Sequence, residues 1–399
     1  KCLCTRSARR IFNPAFVFNK LLDNQEFKIR LADRVHKHFY NGGAFTPKTS
    51  AERFIQLADS VERAVVGEST RWGDKLQAKP KTLDDNWLPE RKRLLTQFFP
   101  GRTQTVIEHM RRNRKNPMYP SLDAPEFNQH GGTFPSGFEL IASVTAEADQ
   151  APIIFYTTDG SDPRLPGGSV NAERALEYKG PLPLTQSVYV RARALDGETW
   201  SAITEAAFIA EETQNRVALL QENLKINEIM YNPGNEGFEY IELFNANFDY
   251  AIDLSGLAFT KGIDYAFPQG TIVPAGGYIV LGRFSDANEK NAFLSFYQLD
   301  DVLVVGPYDG KLANEGERIS LQIPAISNLS DERADWRLVE EMRYDRESPW
   351  TPDANGTGMS LQRISITKAV NDPANWEAAM PTPGRENRIG TDVREWGVY

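Results

Sequence analysis

The sequence predicts a multidomain chain, α first and then β: a helical bundle followed by two β-sandwich modules. Three observations predict this. Apolar residues recur every three or four positions in the first part of the chain and every second position later. Proline and glycine crowd the zone between the two patterns, at Pro117, Pro120, Pro125, Gly131, Gly132 and Pro135. The charge also changes sign there. Residues 1–120 carry 24 Lys and Arg against 12 Asp and Glu, whereas residues 121–399 carry 21 against 42, within a net charge of −9. A switch that sharp separates domains of different kinds.

Residues 12–116 follow helix grammar. Asn13-Pro14 offers an N-cap and a proline at the first helical position. Phe27, Leu31 and Val35 share one helix face, and Asn41-Gly42-Gly43 stops that helix. Thr46-Pro47 opens the next, which repeats Phe54, Leu57, Val61 and Val65 at helical spacing. A further helix carries Leu94, Leu95 and Phe98 and is expected to break at Pro100-Gly101. The last carries Val106, Ile107 and Met110.

Strand grammar follows. Phe138-Glu-Leu-Ile-Ala-Ser-Val, Ile153-Ile-Phe-Tyr-Thr-Thr and Ser187-Val-Tyr-Val-Arg-Ala-Arg-Ala are short, β-branched or aromatic, and alternate with period two. Asp159-Gly160 and Asp196-Gly197 supply hairpin-type turns. Strands at this spacing fit a sandwich. A polar stretch, Glu211 to Glu222, has a composition open to a helix and separates this module from the next. From Leu224 the strand signals resume, among them Lys225-Ile-Asn-Glu-Ile-Met, Glu239-Tyr-Ile-Glu-Leu-Phe, Tyr278-Ile-Val-Leu and Arg318-Ile-Ser-Leu.

Composition narrows the function classes. The chain has 399 residues, 41% hydrophobic and 25% charged, which suits folded domains. No run approaches the roughly 18 apolar residues of a membrane helix. The basic start, Lys1 to Arg10, has no apolar segment behind it and no initiator Met, so the chain is expected to begin inside a longer protein. The acidic larger part would repel phosphate, which disfavours nucleic acid as a partner. Cys2 and Cys4 are the two cysteines, and no disulfide framework or Cys-rich metal site can be built from them.

Three resemblances cover most of the chain. Lys225-Ile-Asn-Glu-Ile-Met-Tyr-Asn-Pro, Glu239-Tyr-Ile-Glu-Leu-Phe-Asn, Ile252-Asp-Leu-Ser-Gly-Leu and Phe267-Pro-Gln-Gly-Thr-Ile-Val-Pro-Ala-Gly-Gly-Tyr-Ile-Val-Leu resemble the lamin-tail domain (LTD) of bacterial secreted proteins. Gly316-Glu-Arg-Ile, Gly356-Thr-Gly-Met-Ser-Leu-Gln-Arg, Asn375-Trp376 and Pro381-Thr-Pro-Gly continue the match in order. The resemblance implies an immunoglobulin-like sandwich with a binding or structural role. Ile154-Phe-Tyr-Thr-Thr-Asp-Gly-Ser-Asp-Pro, Tyr178-Lys-Gly-Pro-Leu, Val190-Arg-Ala-Arg-Ala and Trp200-Ser resemble the β-sandwich at the C-terminus of chitobiase and β-hexosaminidase enzymes, an accessory module. Asn24-Gln-Glu-Phe-Lys-Ile-Arg, Glu68-Ser-Thr-Arg-Trp-Gly and Trp87-Leu-Pro-Glu-Arg are similar to the C-terminal part of a CotH-type kinase domain, a kinase-like C-lobe fragment. In that family the nucleotide-binding lysine and the catalytic and metal-binding aspartates precede this part. No catalytic, cofactor-binding or metal residue is therefore carried over to any position here. ATP and Mg²⁺ are expected only for a complete parent kinase domain.

The site candidates read as follows. No P-loop or Gly-rich phosphate loop opens a helix; Gly42-Gly43 ends one, and Gly131-Gly132 sits in the Pro-rich zone. His36 and His38 lie two apart on a helix and point in different directions, with His109 and His130 distant, so they read as partly exposed helix histidines rather than zinc ligands. Asp159, Ser161 and Asp162 lack the ligand spacing of a calcium loop and read as turn residues. Glu239 and Glu242, three apart on a strand, read as structural rather than as a glycosidase pair. The basic run Arg111-Arg112-Asn113-Arg114-Lys115 ends a helix, where cations meet the negative end of the dipole. Of Trp200, Trp336, Trp350 and Trp376, most are expected in the core.

The expected domains are a helical segment 1–120, a chitobiase-like β-sandwich 121–212, a linker 213–223, a lamin-tail sandwich 224–389 and a tail 390–399. The expected function is a non-catalytic portion of a secreted or cell-surface CotH-family protein, its β modules serving structure, binding or surface attachment. The partners this admits are a cell-surface polysaccharide or a protein. Two alternatives stand beside it: a carbohydrate-binding accessory module, and part of an atypical protein kinase whose catalytic residues lie upstream.

Overall fold

The computed structural model describes residues 14–75, 79–112, 117–145, 151–234, 237–326 and 335–389. Cys2, Cys4, Asn13 and positions 113–115 of the basic run lie outside them. The described residues divide into two compact units, one up to Phe208 and one from Ile209.

The first unit opens with helices α1 (Pro14–Leu21), α2 (Gln25–Phe39) and α3 (Pro47–Trp72). The Asn24 side chain caps α2 by accepting the Phe27 N–H at 3.1 Å. Asn41 and Gly42 take positive φ, +52° and +78°, and turn the chain out of α2. Thr46 caps α3, with Pro47 in its first turn, where a missing N–H costs nothing.

The break expected at Pro100-Gly101 does not occur. Helix α4 (Leu88–Arg93) runs through a π-helical turn, Leu94–Phe98, directly into α5 (Phe99–Arg111). The wider turn lets Phe99 N–H reach the Leu94 carbonyl, and Pro100 then falls in the first turn of α5, where it is tolerated.

Among the described residues, the helical region shares a buried core with the segment and module that follow it. α3 buries only Ala58, while Leu57 is 63% and Val61 45% exposed although both were expected on the core face. The buried residues Ala32, Val35 and Ile107 instead pack with Tyr119, Ala124 and Ala202, from the segment and module that follow. The Pro-rich zone thus lies within one compact unit, and residue 120 is not a boundary between units. The contrast is measurable. Ile107→Ala is expected to destabilise this unit by about 2–5 kcal/mol and Leu57→Ser by less than about 0.5 kcal/mol, read from denaturant midpoints.

The first β module is built on a sheet ordered β2 (Gly132–Phe134), β10 (Thr204–Ala210), β8 (Val188–Asp196), β5 (Ile153–Thr157) and β6 (Leu176–Glu177), with β9 (Thr199–Trp200) pairing β8. Two short ladders accompany it, β1 (Glu126–Phe127) with β4 (Ala142–Ser143) and β3 (Glu139–Leu140) with β7 (Leu182–Pro183). Phe127 and Phe138 set their rings 6.2 and 6.1 Å from that of Phe208 on β10. Gly131, at φ +80°, brings the backbone so near β10 that a Cβ would stand 2.7 Å from the Ala207 carbonyl oxygen. That close approach requires glycine.

The second unit begins with α6 (Glu211–Asn223), so the stretch expected as a linker is helical and buries Val217 and Leu220 in the core of its own unit. One sheet runs β18 (Leu303–Val305), β17 (Tyr278–Gly282), β12 (Tyr240–Asn245), β11 (Leu224–Met230), β22 (Ser360–Arg363) and β23 (Trp376–Ala379). The other runs β19 (Asp309–Gly310), β15 (Ile263–Ala266), β14 (Ala258–Lys261), β20 (Gly316–Pro324) and β21 (Trp336–Asp345). Ile229, Ile241, Leu243, Ile279 and Leu281 of the first sheet share a core with Phe259, Ile319, Leu321 and Met342 of the second. This is an immunoglobulin-like sandwich. On the outer face of the first sheet, Met230, Tyr240 and Val280 pack under Phe293 and Tyr297 of α7 (Ala287–Tyr297).

Candidate binding cleft

Within the first unit, partly buried ion pairs fasten helix α2 to the β module. Arg193 on β8 is 1% exposed and forks between two carboxylates. Its Nη1 and Nη2 each donate to Asp33 of α2 at 2.8 Å, and Nε and Nη2 donate to Asp162 at 2.7 Å. Burial alone would depress the guanidinium; the hydrogen bonds from Asp162 and Asp33 outweigh it and push the pKa up. Asp33 also accepts the Ile203 N–H at 2.9 Å, which fixes the start of β10. Glu26, in the first turn of α2, takes a bidentate bond from Arg164 at 2.8 and 2.9 Å and the Gly167 N–H at 2.9 Å. These hold its carboxyl at about 2.

His36 sits on the same helix face as Asp33 and is buried rather than partly exposed. Its Nδ1 lies 2.9 Å from the Tyr119 hydroxyl and its Nε2 3.1 Å from Thr204 Oγ1. Thr204 Oγ1 donates to the Pro125 carbonyl, so it must accept from His36, which puts the ring proton on Nε2. Tyr119 then donates to Nδ1, and the chain of bonds is fully directed. Burial lowers the His36 pKa to about 4. A base depressed in the folded state stabilises above its unfolded value and loses that contribution as pH falls. We therefore expect about 3 kcal/mol of stability to fade between about pH 6.5 and pH 4. Urea titrations of the wild type and of His36→Phe check this: the variant should lack that part of the pH dependence.

The seam made by these contacts opens on one side into a cleft of about 820 Å³. Lys28, Arg111 and Arg164 line its wall beside Glu198, the two arginines already engaged by Asp123 and Glu26; Thr199, Tyr119 and Trp200 supply hydroxyl and aromatic surface. Arg111 is held in place by the Pro120 carbonyl at 2.9 Å and by Asp123, over the Tyr119 ring. Trp200 is 6% exposed and gives its Nε1–H to the Gly168 carbonyl at 2.7 Å, so it backs the wall instead of forming an open stacking platform. Pre-positioned donors along a half-apolar trough suit an extended polar ligand.

The other sequence candidates fall elsewhere. Asp159 accepts the Ser161 N–H at 2.9 Å and pairs with Arg174 at 2.7 Å, as a turn residue would. Asp162 does more than cap a turn, since it is one jaw on Arg193. Glu239 accepts from Tyr308 and from the Leu312 N–H, while Glu242 is fully buried elsewhere in the second unit. Trp350 and Trp376 are core; Trp336 is 36% exposed. Arg112 reaches only Glu108, at 3.8 Å. Gly42-Gly43 ends α2, and Gly132 begins β2. The seam residues Glu26, Asp33, Arg164 and Arg193 were not singled out. Alternation along Val190-Arg-Ala-Arg-Ala places both arginines on the polar face; Arg191 pairs there with Glu205 of β10, and Arg193 is covered by Asp33 of α2 and by Asp162.

No helix among the described residues is long and apolar enough to cross a membrane. No curated protein matches the chain. Among solved structures, a chimeric titin Z1Z2 functionalized with an exogenous KLER peptide from decorin is 14% identical, covering 51% of this chain and 90% of its own, with a TM-score of 0.15, too low for a common fold to be inferred. Two family models match parts of the chain: Fn3 associated over residues 143–208, in the first unit, and Lamin Tail Domain over residues 220–331, in the second. The chain is thus a helical region followed by β-sandwich modules of kinds that fit a structural or binding role.

Proposed function

We propose that this chain is a non-catalytic binding and presentation portion of a secreted or cell-surface multidomain protein of the CotH type. Its first unit takes an extended polar ligand, a cell-surface polysaccharide or a protein segment, in the cleft between α2 and the β module. Its lamin-tail sandwich serves attachment or assembly. The observation that carries this is the Arg193–Asp33–Asp162 seam, which fastens α2 to the β module beside the cleft. The Fn3-associated and lamin-tail matches support a β-module role, and the ordered blocks from Asn24 to Arg91 support the CotH context. The likeness of the first module to the chitobiase-type accessory sandwich favours a glycan among the ligands.

A glycan array and a display of surface-protein peptides, each run with the wild type and with Lys28→Glu, test the reading. Binding that weakens at least about tenfold in the variant, roughly the 1.4 kcal/mol of one lost charge-assisted contact, supports it. Signal unchanged by the variant on every ligand would remove the cleft from consideration. Calorimetry with ATP and Mg²⁺ addresses the kinase alternative: saturable binding by this chain itself would overturn the non-catalytic assignment.

A further inference from the structure

The outer face of the first sheet in the second unit buries two carboxylates side by side. Glu228 on β11 and Glu242 on β12 are cross-strand partners in register, and both are 0% exposed. No described ion pair reaches either one. Burying two such charges together without a cation would cost several kcal/mol.

Their hydrogen bonds divide the roles. Glu228 is surrounded by donors: Tyr240 Oη at 2.5 Å, Thr382 N at 3.0 Å, Thr382 Oγ1 at 3.1 Å, Gln362 Nε2 at 3.3 Å, and Ser360 Oγ. That is the environment of an ionised carboxylate. Glu242 has two, Asn227 Nδ2 at 2.7 Å and Gly384 N at 2.5 Å. Burial pushes Glu228 up while its donors pull it back; burial and then the Glu228 charge push Glu242 well up. The other titratable groups facing the pair are Tyr240, Tyr278 of β17, Tyr297 of α7 and Glu386, and none supplies positive charge.

What covers the pair is the segment after β23, residues 380–388. Thr382 and Gly384 point their N–H groups into the two carboxylates. Gly384 sits at φ +80° against Val302, where a side chain would collide. Asn387 completes the strap by donating to the Arg363 carbonyl at 2.9 Å and the Asn227 carbonyl at 3.2 Å. This strap is neither helix nor strand; the carboxylates and Asn387 hold it together with Gln362, which donates to the Met380 carbonyl at 2.8 Å and accepts the Arg388 N–H at 2.9 Å.

We propose that Glu228 and Glu242 form a proton-loaded clamp on the strap 380–388: the pair holds it while sharing one proton, carried by Glu242, and releases it when that proton leaves. A carboxyl raised in the folded state contributes fully at low pH and loses its contribution as pH rises through its folded value. Opening the strap then hydrates the two adjacent charges.

Hydrogen exchange on the full chain tests this, with amide protection of Thr382 and Gly384 normalised for intrinsic exchange between about pH 6 and pH 9. Protection should fall at least about tenfold in the wild type while the β20–β21 amides hold steady. In Glu242→Gln, whose amide is neutral at every pH, strap protection should stay flat. Constant wild-type protection, or the same fall in the variant, would overturn the clamp. Infrared spectra of the wild type at neutral pH give an independent reading that requires no variant: a C=O band of a buried protonated carboxylic acid must be present and must vanish as the strap opens, and its absence is equally fatal.

Discussion

Replacing Arg193 by alanine is expected to cost the first unit about 3–5 kcal/mol, the largest effect of any single change in its seam. The guanidinium is withdrawn from water, so its deletion leaves Asp33 and Asp162, 20% and 37% exposed, without the cation they share. Asp33 would keep its bond from Ile203 N–H but lose both bonds from Arg193. Lysine should not rescue the site, because an ammonium cannot serve two carboxylates and the Ser201 carbonyl with fork geometry. Denaturant unfolding followed by tryptophan emission, to which both units contribute, checks both: the transition of the first unit should move to lower denaturant and that of the second should not. A loss below about 1 kcal/mol would place Arg193 among ordinary surface pairs.

Glu340→Ala is expected to cost the second unit about 3–5 kcal/mol by a related route. The β11 ladder slips by a residue between Ile226 and Glu228, so that Asn227 has no register partner on β12, and beside this bulge the Ile226 backbone groups bond to side chains. Glu340, reaching over from β21, accepts the Ile226 N–H at 2.6 Å, and Arg363 on β22 donates to the Ile226 carbonyl at 3.2 Å. The two side chains close on each other at 2.9 Å, with only 2% and 9% of their surface exposed. The pair therefore stitches both sheets together at the bulge. Glu340→Leu with Arg363→Met should recover only part of the loss, because Ile226 N–H and C=O stay buried and unpaired. Full recovery in guanidinium titrations would show that the bulge has other partners.

The order of helices and strands was legible because it rests on local signals. The Asn41-Gly42 stop, the Thr46-Pro47 start and the period-two runs around Phe155, Val190 and Ile241 each need only neighbours in sequence. The seam was not legible, because its partners lie 138 to 160 residues apart: Glu26 with Arg164, Asp33 with Arg193. Each looks in isolation like a solvated charge on a polar face. His36 misled for the same reason, since Tyr119 comes from within the Pro-rich zone and Thr204 from beyond it. Leu57 and Val61 erred in the opposite sense: helical spacing marks an apolar stripe and says nothing of whether the rest of the chain supplies a surface to cover it. In the second unit the lamin-tail blocks located Glu228 and Glu242 on their strands, but alternation could not reveal that the outer face is roofed by residues from 380 onward.

The claim on which the functional reading depends is that α2 and the first β module are one cooperative body with a built cleft. Native-state hydrogen exchange of the full chain under increasing denaturant tests it most directly. The amides of α2 around Val35 and those of β8 around Ala192 are predicted to open with one common free energy, and Asp33→Asn is predicted to lower both together. Opening of α2 at low denaturant while β8 stays protected would contradict the claim, and with it the built cleft.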